Sequence, residues 1–241
     1  MADSKERTYK KLGIVGGLGP AATAHFFSRV VDLTDAACDQ EHLDVCIVNV
    51  PRTPDRTAYI LGQSQESFVP VVNTAAHQLE DMGCQVLCIT CVTAHSLFDQ
   101  VFSGITNAVP IHMPRAAAEE ISQAGKRRVG IMATSGTCKT GVLQQAMEEQ
   151  GLEVRLPDQR HQDMVMSVIY DDIKAGRPAD MRKFADVCGH LREQGCDAVV
   201  LGCTELSLIS VPEDYAGMLV VDAMEVLAKR CIQACGARVR A

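Results

Sequence analysis

The sequence predicts an α/β fold of two related halves, each built on a mostly parallel sheet. Short apolar runs alternate along the 241 residues with longer stretches that carry apolar residues at helical spacing. The short runs are almost continuously apolar, which is typical of parallel strands that helices cover on both faces. A segment of the first half also matches a segment of the second half, which indicates a duplicated unit.

Seven strands are predicted in chain order: Leu12–Val15, Val45–Val50, Val86–Ile89, Val129–Met132, Val154–Leu156, Ala198–Leu201 and Leu219–Val221. The stretches between them repeat apolar residues every three or four positions, as expected of helices with one buried face. Six helices are therefore predicted, over Ala21–Thr34, Phe68–Met82, Ala116–Ala124, Gly141–Gln150, Met181–Glu193 and Ala223–Ala234. Pro20 suits the start of the first helix, because proline is favoured at the first helical position.

The internal repeat aligns Leu79–Cys91 without gaps on Leu191–Cys203. Leucine, glycine and two cysteines coincide, in the order helix, glycine, strand, cysteine. The strand starts Leu12–Val15 and Val129–Met132 also agree, with a glycine at the second position of each. The chain is therefore predicted to contain two related α/β halves, although a shared fold alone would produce part of this pattern.

The predicted division into domains is discontinuous. Residues 1–115 together with 216–241 are expected to form the first α/β domain, and residues 116–215 the second. No segment rich in proline, glycine or serine separates the halves, so a long flexible linker is not predicted.

Composition and charge exclude several kinds of partner. The net charge of −7 without a basic cluster disfavours nucleic acid. The N-terminus is charged where a signal peptide is apolar, and no run reaches the roughly 18 apolar residues of a membrane span. We therefore expect no membrane partner and a cytoplasmic location. Most of the 11 cysteines are expected to be reduced, buried residues, since the chain shows no export signal.

Cys91 and Cys203 are the strongest candidates for chemistry. Each comes just after an equivalent predicted strand, where open α/β sheets place their ligand crevices. If the halves face each other, one thiolate can remove a proton from a carbon while the other thiol delivers a proton to its opposite face. Thr93 after the first cysteine, and Thr204 and Glu205 after the second, supply polar neighbours. The alternative for either cysteine is a buried, inert side chain.

Cys88 and Cys91 form a Cys-x-x-Cys spacing, which also occurs in redox pairs and in zinc sites. No second Cys-x-x-Cys completes a set of four zinc ligands. If Val86–Ile89 is a strand, Cys88 points into the packing while Cys91 lies beyond the strand end. A strand cysteine followed by a turn cysteine is therefore the favoured interpretation, and no metal is predicted.

A glycine-rich turn follows the first strand and opens a helix. Gly17, Gly19 and Ala22 satisfy a loose G-x-G-x-x-A dinucleotide pattern. The acidic residue expected after the next strand is missing, and Arg52 stands nearby, which leaves an NADP-like alternative open. A small carboxylate bound at the glycine turn is easier to defend.

Three further residues have two possible interpretations each. Arg56 and Lys174 lie in segments of loop-like composition and are either surface charges or groups that hold an acidic substrate. Arginine suits the second role, because its planar fork can hold a carboxylate through two hydrogen bonds. His95, four residues after Cys91, either faces the thiol or is a hydrogen-bonded structural histidine.

These segments together resemble a known family. The matching residues are Gly16–Pro20 with Ala22 and Thr23, Asp39–His42, Pro54–Ile60, Cys91–His95, Lys174–Gly176 and Gly202–Glu205. They are similar to the cofactor-independent aspartate/glutamate racemases, and within them to the aspartate racemase branch. The resemblance covers nearly the whole chain. It implies two α/β domains related by a pseudo-two-fold axis, with the active-site cleft between them.

The resemblance also implies the roles of the site residues. Cys91 and Cys203 would be the catalytic acid/base pair, with no cofactor and no metal. Arg56 and Lys174 would hold the carboxylates of an amino-acid or dicarboxylate substrate. The implied substrate-binding residues are Leu18, Arg56, Val92, Thr93, Lys174, Thr204 and Glu205. A homodimer is expected.

One residue departs from the family pattern at the substrate. The first cysteine motif usually reads Cys-Asn-Thr, and Val92 stands here in place of the asparagine. The favoured function is therefore a racemase of amino acids, with aspartate as the first candidate. A racemase or isomerase acting on glutamate, another amino acid or a maleate-like acid stays open, as does a non-catalytic binder of small acids.

Overall fold

Nine strands form two sheets in the computed structural model, which describes residues 9–240. The first sheet contains four strands, β1 (Leu12–Gly16), β2 (Val45–Asn49), β3 (Val86–Ile89) and β4 (Val109–Pro110). Their order is β2-β1-β3-β4, and every pair is parallel. The carboxyl ends of all four strands therefore lie at one edge of the sheet.

The second sheet repeats this arrangement and adds one strand. It contains β5 (Arg128–Met132), β6 (Glu153–Arg155), β7 (Ala198–Leu201), β8 (Asp214–Tyr215) and β9 (Met218–Asp222). The order is β6-β5-β7-β9-β8, parallel except for the β8–β9 pair. Across the second sheet, β6-β5-β7-β9 repeats the arrangement β2-β1-β3-β4 of the first sheet, and β8 is added at the edge. This confirms the predicted fold of two related, mostly parallel α/β units.

Ten α-helices lie within residues 9–240. They are α1 (Pro20–Leu33), α2 (Arg56–Leu61), α3 (Val69–Asp81), α4 (Phe98–Val101), α5 (Met113–Gln123), α6 (Ser135–Thr140), α7 (Val142–Glu149), α8 (Gln159–Ser167), α9 (Met181–Glu193) and α10 (Ala223–Ala234). All six predicted helices are present. The sequence does not predict α2, α4, α6 or α8, most of which are too short to show a periodic pattern.

The internal repeat is also visible in packing. Gly13 of β1 lies under α3, and a Cβ there would come within 3.1 Å of the Leu79 side chain. Gly130 of β5 lies under α9 in the same way, with a Cβ position 2.7 Å from the Leu191 side chain. In each half, then, a glycine in a central strand lets a leucine of a helix later in the same half pack directly on the sheet.

Strand pairing places β9 in the second sheet. Leu219 and its neighbours pair with β7, whereas the predicted division assigned residues 216–241 to the first domain. The predicted boundary at 216 thus does not follow the sheets, because hairpin β8–β9 extends the second sheet before the chain leaves it. Helix α10, which comes next, packs on α1 and β3 of the first unit and on α5.

The main apolar core lies between the two units. It joins β1 and α1 residues of the first unit with β5 and α7 residues of the second, and α5 and α10 connect the two. A shared core explains why the sequence contains no linker between the halves. None of the helices in residues 9–240 has the length and apolar character of a membrane span.

Candidate active site

Cys91 and Cys203 lie at equivalent places, two residues beyond the ends of β3 and β7. Both line one cavity at the junction of the two units. Its wall contains all nine predicted site residues and five others: Leu18, Asp55, Arg56, Thr57, Cys91, Val92, Thr93, Thr134, Tyr170, Lys174, Gly202, Cys203, Thr204 and Glu205. The structure thus gathers residues from six separate segments around two thiols.

The cavity is narrow in this structure. Its free volume is about 20 Å³, room for about one water molecule. Two contacts join the units at its wall, from Tyr170 Oη to Asp55 Oδ2 at 3.3 Å and from Thr57 Oγ1 to Thr134 Oγ1 at 3.2 Å. A groove of about 360 Å³ adjoins it and shares four wall residues, including Arg56. An amino acid is larger than this space, so it fits beside the thiols only if the walls move apart.

Arg56 lies in the cavity wall, and part of its guanidinium is already hydrogen-bonded. The residue begins α2 and is 9% exposed. Nη1 donates to the carbonyls of Thr53 and Pro54, and Nη2 donates to the carbonyl of Leu18 at 3.2 Å. Nε has no partner among the described residues. Burial is the largest single influence and lowers the pKa of Arg56, but interactions with Cys91, Asp55 and Glu205 together outweigh it and the pKa is raised.

Lys174, Glu205 and Cys203 form a connected chain. Lys174 Nζ donates to Glu205 Oε1 at 2.6 Å, and Cys203 Sγ donates to Glu205 Oε2 at 2.9 Å. Burial is the largest single influence and lowers the pKa of Lys174, but Glu205, Cys203 and Cys91 together outweigh it and the pKa is raised. The ammonium also lies 5.5 Å from the Tyr170 ring centre. Thr204 donates to the backbone carbonyl of the residue after β3 and so joins the two units.

Four threonine hydroxyls form a network across the two units. Thr93 Oγ1 lies 2.7 Å from Thr137 Oγ1, which lies 3.0 Å from Thr134 Oγ1. Thr134 caps α6 by accepting from the Thr137 backbone and accepts from Thr57. Gly136 permits this approach, since a Cβ there would lie 2.8 Å from Thr57 Cα. Thr93 therefore has hydroxyl partners of its own in the cavity wall.

Val92 and Leu18 supply the apolar part of the wall. Val92 is 2% exposed and belongs to the main core, and Leu18 belongs to the apolar cluster under α3. Val92 thus contributes to the core and to the cavity at once. A polar group of a ligand that reached this side chain would find no hydrogen-bond partner in it.

His95 does not line the thiol cavity. Its Nδ1 lies 2.8 Å from the Cys91 carbonyl oxygen, and its ring contacts His112 and Phe98 on the far side. The pKa of His95 is lowered to about 4, first by burial and then by His112. Of the two interpretations of this residue, the structure supports the hydrogen-bonded structural histidine.

This histidine gives an expected pH dependence of stability. Unfolded His95 binds a proton below about pH 6.5, whereas the folded residue does so only below about 4. Stability should therefore fall by roughly 3 kcal/mol from this residue as the pH drops through that range. Urea unfolding at several pH values should show a shallower fall in the free energy of unfolding for His95→Asn than for the wild type. Part of the fall should remain in the variant, because burial and Arg115 also lower the pKa of His112 to about 4. An unchanged slope in the variant would contradict this origin.

Cys88 and Cys91 belong to different packing clusters. Cys88 lies in β3 and packs in the main core near Cys231, whereas Cys91 packs in the α3 cluster and lines the cavity. All eleven cysteines are free thiols. The arrangement agrees with a strand cysteine followed by a turn cysteine.

One cluster within residues 9–240 has the composition of a metal site. It consists of Asp158, His161 and His190, away from the thiol cavity. The two imidazole rings stack with centres 3.9 Å apart and planes 11° apart. His190 Nε2 also lies 2.7 Å from Gln194 Nε2. Parallel rings direct their nitrogen lone pairs poorly at a shared ion, so these contacts describe a cap of α8 held against α9.

Several wall residues are missing from the prediction. Thr134 lies two residues beyond β5, the strand equivalent to β1, so the rule that ligands bind at strand ends would have found it. Tyr170 lies four residues before Lys174, and a predicted helix there would have placed both on one face. Arg56 lies in helix α2 instead of a loop, whereas Lys174 lies, as its loop-like composition indicates, in a turn that follows a π-helical turn over 168–173.

Polar side chains gathered between the strand ends of two similar sheets are typical of α/β enzymes that bind small molecules. A family profile described as Asp/Glu/Hydantoin racemase matches residues 15–231. The chain belongs to this family. Membership confirms the resemblance seen in the sequence and supports an amino-acid racemase.

Individual relatives agree with this placement. The aspartate racemase of Picrophilus torridus has a TM-score of 0.85 and 29% identity, covering 96% of each chain. An aspartate racemase homologue of Pyrococcus horikoshii has a TM-score of 0.77 at 24% identity, over 94% of this chain and 99% of its own. The broad specificity amino-acid racemase RacX of Bacillus subtilis is 24% identical over 232 residues, 92% of this chain and 96% of RacX.

Proposed function

We propose that the protein is a cofactor-independent amino-acid racemase that inverts the α-carbon by proton transfer between Cys91 and Cys203, with aspartate as the preferred substrate. The observation that carries the proposal is the pair of thiols that follow equivalent strands and line one cavity. The similarity to the Picrophilus torridus aspartate racemase supports the choice of aspartate. The homodimer and the cytoplasmic location stay predictions.

The reaction assigns one thiol to each face of the substrate. A thiolate on one face takes the α-proton, and the thiol on the other face gives its proton to the same carbon. Negative charge that develops on the substrate carboxylate needs a fixed donor nearby. Arg56, buried in the cavity wall with an Nε–H that has no partner among the described residues, supplies one.

The two cations of the cavity are not equivalent. Arg56 has a free donor, whereas Lys174 is paired with Glu205 at 2.6 Å. A first carboxylate is therefore assigned to Arg56. The second carboxylate of aspartate must share Lys174 with Glu205.

Incubation with a panel of single enantiomers in D₂O tests this function. A two-thiol reaction exchanges the α-proton with solvent, so each accepted amino acid should gain deuterium and its mirror image together, without added cofactor. Proton NMR follows the first change and chiral chromatography the second. Dependence on a nicotinamide, or no exchange in any amino acid, would contradict the proposal.

Val92 favours a second candidate, a racemase of an amino acid other than aspartate. Its apolar side chain stands where the resemblance to the aspartate racemase branch implies an asparagine. A desolvated polar group without a partner costs about 1–3 kcal/mol. An amino acid with less polar demand at this position would avoid that cost.

The variant Val92→Asn separates the two candidates. If aspartate is the substrate, the new amide should raise kcat/KM for aspartate roughly 5- to 150-fold. Val92→Ala serves as the control, because it removes the apolar contact without adding a polar group. A loss of activity on another amino acid, with little gain on aspartate, would favour the second candidate. If the activity of Val92→Asn on every substrate equalled that of the wild type, this side chain would not face the ligand.

A further inference from the structure

The two thiols of the cavity have unlike surroundings. Cys91 lies near the guanidinium of Arg56, whereas Cys203 Sγ donates to Glu205 Oε2 at 2.9 Å. The other carboxylate oxygen accepts from Lys174 Nζ. An ionised carboxylate only accepts hydrogen bonds, so its contact with sulfur needs a proton on Cys203. The repeat therefore places one cysteine beside a cation and the other beside an anion.

Burial strengthens the electrostatic interaction between Cys203 and Glu205. Glu205 is 4% exposed and Cys203 is 7% exposed, so water screens their interaction poorly. Burial first, and Glu205 second, raise the pKa of Cys203 well above its ordinary value, although Lys174 lowers it. Negative charge on the Cys203 sulfur is therefore unfavourable in this buried site beside Glu205.

We propose that Glu205 is a positioning residue that holds Cys203 as a protonated thiol, so that the free enzyme rests with Cys203 as the acid and Cys91 as the base. The inference rests on the proposed two-thiol racemisation and gives the two cysteines different resting states. It also gives Glu205 a role other than the substrate contact that the resemblance implies.

The proton balance follows from this resting state. The Cys91 thiolate takes the α-proton from one face, forming S–H as the C–H bond breaks, and the electron pair passes to the α-carbon and its carboxylate. The Cys203 S–H bond then breaks as its proton goes to the opposite face. The product leaves Cys91 as a thiol and Cys203 as a thiolate beside the Glu205 carboxylate. Their repulsion favours return of a solvent proton to Cys203, while Cys91 gives its proton to solvent, and the resting state is restored.

The protonation of Cys203 can be measured without substrate. We would label the full-length protein with cysteine carrying ¹³C at Cβ, assign the Cys203 signal from its absence in Cys203→Ser, and titrate it by NMR. The wild-type signal should stay that of a thiol beyond about pH 8.5, the ordinary cysteine midpoint. In Glu205→Gln the midpoint should fall by at least about one pH unit, because the anion that opposes the thiolate is gone.

Two variants control for other causes. Asp55→Asn removes a carboxylate of the same cavity that bonds to Tyr170 instead of sulfur, and it should move the Cys203 midpoint much less. Glu205→Asp keeps the charge but withdraws it by one methylene, and its midpoint should lie between those of wild type and Glu205→Gln. A Cys203 thiolate in the wild type at neutral pH, or equal midpoints for wild type and Glu205→Gln, would overturn the inference.

Steady-state kinetics add an independent reading. Glu205→Gln should lower kcat roughly tenfold or more with a smaller change in KM, whereas a substrate contact would chiefly raise KM. The comparison uses kcat, since the equilibrium constant of a racemisation is unity and fixes kcat/KM as equal for the two enantiomers. A protein that shows the predicted midpoints but racemises no amino acid would contradict the proposed function and leave the Cys203–Glu205 inference standing.

Discussion

Replacing either Cys91 or Cys203 by serine is expected to lower racemisation by roughly 10²–10⁴-fold, the usual contribution of a positioned acid or base. Each direction of the reaction needs one thiolate and one thiol, so neither cysteine can serve alone. The expected loss is in kcat for both enantiomers, measured by chiral chromatography.

Cys88→Ser is the matched control for these variants. It makes the same replacement of sulfur by oxygen three residues before Cys91. Cys88 lies in a strand, packs in the core and does not line the cavity. We expect near wild-type turnover from the folded fraction of this variant. Near wild-type turnover in Cys91→Ser or Cys203→Ser would refute the assignment of the pair.

Arg56→Lys is expected to lower kcat/KM by roughly 10- to 100-fold for every accepted amino acid. Lysine keeps the positive charge but lacks the planar fork, and a hydrogen bond to a charged group contributes about 1.5–3 kcal/mol. The loss should appear for neutral amino acids as well, since Arg56 is assigned to a carboxylate that all of them carry. Steady-state racemisation of aspartate and of one neutral amino acid measures it.

The control is Arg52→Lys, four residues earlier on the same segment. Arg52 is exposed and lines neither the cavity nor the adjoining groove. Its replacement should leave kcat/KM unchanged. If Arg56→Lys retained full activity at an unchanged melting temperature, the carboxylate would have to bind elsewhere.

The positions of the two thiols could be predicted because they depend on local pattern. Apolar runs mark the strands, and carboxyl ends of parallel strands meet at one edge. The cavity around Cys91 and Cys203 follows from those two facts and the internal repeat. The roles of Arg56 and Lys174 were identified by resemblance. Helix α2 and the π-helical turn before Lys174 were not predicted, because both are too short to show a periodic pattern.

The rest depends on packing between distant segments. The pair Lys174–Glu205 joins residues 31 positions apart, and nothing in either segment specifies the other. The hydroxyl network from Thr57 to Thr137 forms only because Gly136 lets α6 approach α2. Likewise β9 joins the second sheet through its register with β7, which apolar periodicity does not encode.

The most direct test of the two-thiol account is proton exchange in the single-cysteine variants. Each enantiomer of the accepted amino acid is incubated separately in D₂O with Cys91→Ser and with Cys203→Ser, and loss of the α-proton is followed by NMR. The remaining thiol reaches only one face of the substrate, so each variant should exchange one enantiomer with retention, and the two variants should prefer opposite enantiomers. Exchange of the same enantiomer by both variants, or racemisation by either at the wild-type rate, would contradict the account.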